Sequence, residues 1–293
     1  MDFGISTRDC TPTAQEFHVW IGRWYNRNMS ARDRVYRTDA VVVRRQNLGE
    51  ADRLLSVYTF DHGKIKAIAK GIRRPKSRKA GHLEPFTQVE LMVAKGRELD
   101  IITQAEAIEL FPHLRQDLVL LSQAAYVVEL LDRFTVERDP NRSLYRLLVN
   151  TLERLEAGAD ADAVLRFYEL RLLDLTGYKP ELIHCVECEL EVNPEDQYFS
   201  FSSGGVLCPV CGPGSAPARP ISLAALKVIR HYQRNTYASA STVRIRAKTY
   251  REIESLMEDY LSYVLEQKLN SPSFLRRVRR AIRDQPEPDT ITE

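Results

Sequence analysis

Four cysteines stand in two Cys-x-x-C pairs, Cys185 with Cys188 and Cys208 with Cys211, separated by nineteen residues. A two-residue gap lets both sulfurs of a tight turn aim at one centre, and two such turns make the tetrahedral four-thiolate set that Zn²⁺ prefers. Such a set leaves no coordination position for water, so it describes a structural zinc that staples a small lobe rather than a catalytic metal. Paired disulfides suit an oxidising compartment, and a redox Cys-x-x-C needs one pair in a βαβ setting. The N-terminus lacks the pattern of a secretory signal and the βαβ setting is missing, so neither alternative fits. His184 could replace a ligand, but beside four thiolates it falls to a supporting or solvent-facing position. Cys10 is a lone thiol near the N-terminus.

The second chemical feature is a basic run. From Lys64 to His82 the chain carries Lys64, Lys66, Lys70, Arg73, Arg74, Lys76, Arg78 and Lys79 and no acid, whereas the whole chain has 42 basic and 40 acidic residues. A second cluster, Lys268 to Arg283, has six basic residues and again no acid; outside the two, 28 basic residues face 40 acidic ones. Positive charge concentrated on an otherwise acidic chain is the electrostatic footprint of a nucleic-acid binder. With Arg44 and Arg53 from neighbouring strands, the eight residues of the first run form the candidate nucleic-acid surface. The competing reading is a solvated loop beside an edge strand that its lysines protect from aggregation. The cluster around "FLRRVRR" is equally an extra contact or a solvated helix end.

Motifs for other chemistry are missing. There is no G-x-x-x-x-G-K-[ST] phosphate loop, no G-x-S-x-G elbow, no H-E-x-x-H and no H-x-E deaminase signature. Glu50 and Asp52 lie in a strand connection, where carboxylates usually bond backbone amides or a neighbouring Arg such as Arg53. No constellation amounts to an active site.

The elements that must position these residues are legible from periodicity. Residues 36–110 hold five short β-rich runs, "DAVVVRRQ", "RLLSVYTF", "KIKAIAK", "FTQVELMVA" and "LDIITQAEA", separated by turn signals. Five strands in so short a span favour a closed barrel, with the oligonucleotide-binding (OB) fold the obvious candidate. In "KIKAIAK" the alternation turns Ile65, Ala67 and Ala69 inward and Lys64, Lys66, Ile68 and Lys70 outward. Tyr58 and Phe60 are candidate base-stacking platforms, or barrel core.

Residues 111–182 read as helical, with one stripe of Leu118, Leu121, Ala125, Val128 and Leu131, another from Leu144 to Leu155, and a third helix from Asp162 to Thr176. Residues 183–215 form the four-cysteine lobe, and 216–283 a second helical part. In it Ser222 caps one helix, and Thr249 with Glu252 reads as a capping box opening another. Residues 1–35 form an extension of no clean period, dispensable if translation begins at Met29, or else an appended amphipathic arm. Residues 284–293 form a Pro-rich, acidic, disordered tail. The fold class is therefore α+β and multidomain. No stretch reaches the roughly 20 apolar residues of a membrane-spanning helix, and the expected setting is cytoplasmic.

The order of barrel, helical bundle with "LLDLTGYKPEL", lobe with "GGVLCPVC" and final helices resembles the bacterial RecO family. The "GEADRLL" and "AKGIRRPKSR" motifs lie within the resemblance, which covers roughly residues 36–277. The resemblance implies a recombination mediator rather than an enzyme. Such a protein binds single- and double-stranded DNA and anneals complementary strands without ATP. With RecR, it helps RecA replace single-stranded-DNA-binding protein (SSB), whose acidic, apolar-ended tail implies a basic, apolar groove on this chain. The readings from other classes are a zinc-containing nuclease and a zinc-ribbon scaffold that binds only proteins.

Overall fold

The computed structural model describes residues 34–215 and 218–283. Residues 1–33 of the expected extension, including Met29, and the whole expected acidic tail lie outside the described residues.

Five strands, β1 (Val35–Leu48), β2 (Asp52–Thr59), β3 (Gly63–Ala69), β4 (Gln88–Ala94) and β5 (Asp100–Glu109), close into a barrel in the order β1-β2-β3-β5-β4. All neighbours are antiparallel except β3 and β5, whose parallel pairing at Ala67–Asp100 and Ile68–Ile101 completes the closure. This is the OB-type barrel that the five β-rich runs predict. Alternation decides its interior: Ala40, Val42, Leu55, Val57, Ile65, Ala67, Val89, Leu91 and Val93 are buried in one cluster.

The run of valines in β1 has a second cause. Val41 and Val43, with Tyr58 and Phe86, belong to the core shared with the helices, so this strand is covered on both faces. Tyr58 is fully buried there, and Phe60 sits under the rings and guanidiniums of Tyr145, Arg142 and Arg146. Tyr58 offers no free face on which a base could stack, and the half-buried Phe60 ring already carries two guanidiniums.

The helical part comprises α1 (Pro112–Gln116), α2 (Leu118–Phe134), α3 (Arg142–Glu156) and α4 (Ala161–Leu175). Side-chain caps set their starts: Asp117 accepts from the amides of Val119 and Leu120, Asn141 from Leu144, and Asp160 from Asp162. The buried face of α2 differs from the expected stripe. Leu118 is 53% exposed and Leu121 and Ala125 only half-buried, while Ala124, Val127, Val128, Leu130 and Leu131 are buried. The helix is packed from more than one side, so a single 3.6-residue stripe does not describe its buried surface.

Three short strands, β6 (Gln197–Ser200), β7 (Gly205–Leu207) and β8 (Ala218–Ile221), form a sheet in the order β7-β6-β8. They lead into α5 (Leu223–Arg234), α6 (Tyr237–Ala240), α7 (Ala247–Val264) and α8 (Ser271–Arg283). Ser222 caps α5 as expected, accepting from the Ala225 amide. The expected capping box at Thr249 does not form. α7 begins two residues earlier, and Glu252 reaches instead to the Ser222 amide (2.6 Å) and hydroxyl (2.8 Å), where a second helix end needs an acceptor.

Candidate nucleic-acid interface and cysteine cluster

The basic run leaves β3 at Lys70 and crosses one end of the barrel before β4. Two apolar anchors fix it: Ile72 (1% exposed) and Leu83 (fully buried) insert into the barrel core. The Asp52 carboxylate accepts the Gly71 amide at 2.7 Å, and Arg73 donates from its amide to the Ala51 carbonyl and from its guanidinium to the Gly49 carbonyl. The segment is thus held against the β1–β2 turn, with Lys70, Arg73, Arg74, Lys76 and Arg78 largely exposed.

These five differ from the other candidates in their partners. The Lys64 ammonium lies 2.9 Å from the Asp132 carboxylate on α2, and Lys66 pairs with Glu137. Arg53 and Arg45 both bind Glu84, and the Lys79 ammonium donates to the Ile102 carbonyl at 3.1 Å. Burial lowers the pKa of both Lys79 and Arg53. Arg44 is exposed beside a cleft whose wall includes Glu129 and Asp132 of α2. Among the described residues, Lys70, Arg73, Arg74, Lys76 and Arg78 take part in no ion pair. Of the ten candidates, these five and Arg44 are the exposed cations without an ion pair among the described residues, open to an outside anion.

Sequence reasoning missed Arg45, which closes the clamp on Glu84, and Arg115, which bonds Thr87. No motif marks either. The Arg142 and Arg146 guanidiniums lie 4.9 Å and 5.6 Å from the Phe60 ring centroid, a pairing that sequence separation hides.

The cysteine pairs meet as their spacing predicts. The four sulfurs lie within 4.8 Å of one another, with Cys188 and Cys208 3.9 Å apart. A tetrahedral zinc with Zn–S bonds of about 2.3 Å requires sulfur separations of about 3.8 Å, so the set fits a metal ion. The first pair sits on a turn in which the Cys185 amide donates to the Leu190 carbonyl, and the second follows β7, with the Gly212 amide closing onto the Cys208 carbonyl. A Cβ on Gly212 would stand 2.2 Å from the Tyr198 ring, so the second turn needs glycine there.

Burial pushes the Cys185 thiol up, but backbone amides, first that of Cys188, outweigh it and bring the thiol down to about 6. Cys211 is pushed up to about 12, first by its hydrogen bond with the Cys208 sulfur and then by burial. Four crowded thiols cannot all ionise until a cation offsets their charge. His184 is exposed, its amide and ring both turned to Glu181, away from ligand duty. Among the described residues this is the one cluster of its kind.

An OB barrel with an exposed basic cap, joined to a helical domain that holds a four-cysteine lobe, defines a multidomain class of DNA repair and recombination proteins. Residues 29–111 match the family model for the Recombination protein O N terminal region, and residues 115–273 that for its C terminal region. The DNA repair protein RecO of Roseiflexus sp. (strain RS-1) is 42% identical over 86% of this chain and 89% of its own length. The RecO proteins of Pelotomaculum thermopropionicum and Dehalococcoides mccartyi (strain ATCC BAA-2266 / KCTC 15142 / 195) are 37% and 36% identical, over 85% and 84% of this chain and 96% and 97% of theirs. The chain belongs to the RecO family, a family of DNA repair mediators and not of enzymes. None of its described helices is long and apolar enough to cross a membrane.

Proposed function

We propose that the protein is a recombination mediator of the bacterial cytoplasm and nucleoid. It binds single- and double-stranded DNA through Lys70, Arg73, Arg74, Lys76 and Arg78, with Lys79, Arg44, Arg53, Lys64 and Lys66 at the margins. The observation that carries this reading is the contrast in partners: among the described residues the exposed cap cations meet no carboxylate, whereas most neighbouring candidates are already engaged. A surface of free cations displaces counterions from two strands at once and reads no bases, which suits annealing of complementary strands without ATP. Tyr58 is buried and Phe60 already carries the Arg142 guanidinium, in keeping with contacts made to the backbone.

The cysteine lobe, residues 183–215, holds a structural zinc through Cys185, Cys188, Cys208 and Cys211. It is embedded between helical parts at 111–182 and 216–283, and the barrel at 36–110 acts as the DNA-binding domain. Together with RecR, the protein helps RecA replace SSB on single strands. For the acidic, apolar-ended SSB tail the candidate groove is a cleft of about 420 Å³ between barrel and helices, with Phe86, Leu121, Ala125 and Phe274 as apolar wall and Arg115 on its lining beside Arg45, which Glu84 of the same lining already holds.

Titration of a single-stranded oligonucleotide against salt tests the DNA surface. Charge reversal at Arg73, Arg74, Lys76 and Arg78 is expected to weaken binding whatever the sequence, and to flatten the log–log salt slope by about 0.7 for each phosphate no longer neutralised. Unchanged binding and annealing in that variant would remove the cap from the DNA surface. For the tail, Phe274→Asp should abolish SSB-peptide binding while leaving oligonucleotide binding intact.

A further inference from the structure

A cavity opens at the start of α4. It measures about 580 Å³ and lies between α4, the end of α5 and the segment that leads into α7. The Tyr232 side chain lines it, 1% exposed, and its hydroxyl is buried without a hydrogen-bond partner. A buried hydroxyl left unpaired is costly, and on a side chain that lines a cavity a small shift of the phenol lets it meet something that enters. Burial, with help from Asp160, pushes this phenol up to about 12, so it stays protonated and donates.

Two guanidiniums supply charge. Arg244 and Arg251 border the same cavity, and neither forms an ion pair among the described residues. Arg251 is exposed and spends only its Nε, on the Ala247 carbonyl at 3.3 Å. The acids nearby have protein work to do: the Asp162 carboxylate accepts the Tyr250 phenol at 2.7 Å, and Asp160 Oδ1 accepts the Asp162 amide at 3.1 Å. Val243 and Ile245 make part of the wall apolar.

From these residues we propose that the cavity binds a nucleoside phosphate, the phosphoryl oxygens on Arg244 and Arg251, the Tyr232 hydroxyl as the buried donor, and the base against Val243 and Ile245. Two guanidinium forks and a phenol offer more donors than one carboxylate can accept, whereas a phosphate monoester presents three terminal oxygens. The volume falls in the range of about 300–1,000 Å³ typical of small-molecule sites, far more than an inorganic anion fills. Asp160 lines the same cavity, and its carboxylate can accept from a sugar hydroxyl or an exocyclic amine. The same chemistry is carried by a free nucleotide and by the phosphorylated end of a DNA strand. A free nucleotide can bind here whether or not the cap binds DNA.

Calorimetry on the full chain with dAMP, deoxyadenosine and inorganic phosphate tests the site. One dAMP should bind per chain, with deoxyadenosine and phosphate each weaker by about tenfold or more. Arg244→Ala and Arg251→Ala, at solvent-facing positions where folding is not at risk, should each weaken dAMP by about tenfold. Tyr232→Phe should weaken it while leaving the melting temperature unchanged or higher. Reversing the four cap charges should leave dAMP binding as it was, so failure here and failure of the DNA surface read separately. In that cap variant, preference for a 5′-phosphorylated over a 5′-hydroxyl oligonucleotide identifies the strand end as the ligand, and equal binding identifies the free nucleotide. Absence of dAMP binding at millimolar concentration, binding indifferent to both arginines, or an acidic peptide bound as tightly as dAMP would overturn the proposal.

Discussion

The Lys64 ammonium, on β3 of the barrel, lies 2.9 Å from the Asp132 carboxylate and 2.6 Å from the same residue's backbone carbonyl on α2. The lysine side chain is only 13% exposed. One long side chain therefore links the barrel to the helices, and its charge is committed before any DNA arrives. Lys64→Met should destabilise the protein by about 1–3 kcal/mol, because a partly buried carboxylate and carbonyl lose their donor. Lys76→Met, on the exposed cap, should stay within about 0.5 kcal/mol of the parent. Urea unfolding would measure both, and equal costs would show that Lys64 does not pin the domains.

The neighbouring turn makes the same junction through backbone. Gly63 has φ +64°, and a Cβ there would come within 2.1 Å of the Asp139 carbonyl oxygen. The approach lets the Arg138 amide donate to the Lys64 carbonyl at 2.8 Å. Gly63→Ala meets both a left-handed backbone and a clash, so a loss of at least about 1–3 kcal/mol is expected, well above an ordinary surface change. Thermal melting of this variant beside Gly81→Ala, where a Cβ would have no neighbour within 4 Å, separates the local clash from a general effect of replacing glycine.

These two junctions show where sequence reading reaches its end. Alternation in "KIKAIAK" gave Ile65, Ala67 and Ala69 their inward positions because a strand has one period whatever surrounds it. The outward positions of Lys64 and Lys66 follow equally, yet the carboxylates that claim them, Asp132 and Glu137, stand about seventy residues away. The cysteine set was legible because two-residue spacing fixes turn geometry locally. Glu252 was misread for the opposite reason: the helix end it serves is that of Ser222, thirty positions back. The valines of β1 declared a strand, but not that its outer face was helix-covered.

The thiols make a prediction about metal. Cys185 ionises near neutral pH while Cys211 is held up to about 12, so the full thiolate set forms only as metal displaces protons. One zinc per chain is expected at pH 8, released as the pH falls and protons compete for sulfur. Metal release followed with a chromophoric chelator across pH would show this. Cys188→Ser, at an exposed ligand position, should lower affinity sharply and melt the lobe, seen as protease cleavage within residues 183–215. Retention of a resistant lobe without metal would mean that its apolar packing alone suffices.

A different group governs stability between acid and neutral pH. Glu169 is fully buried on α4, its Oε1 2.7 Å from the Arg166 guanidinium and 2.6 Å from the Tyr126 phenol, while Oε2 has no partner. Burial pushes its carboxyl up to about 7, against the pull of Arg166. An unfolded glutamate titrates near 4.3, so between those values the folded chain holds a proton that the unfolded chain has released. Stability from this group is complete below about 4.3 and declines as the pH rises towards about 7. Glu169→Gln, which resembles the protonated carboxyl and cannot ionise, should flatten the stability profile in that window, lying nearest the parent at the acid end and gaining on it as the pH rises towards about 7. Arg166→Met removes the opposing charge instead, so Glu169 should hold its proton to still higher pH and the decline should extend upward. Urea unfolding of the three proteins from pH 5 to 8 would read the slopes. Parallel profiles for the parent and Glu169→Gln would show that Glu169 stays ionised with Arg166 throughout.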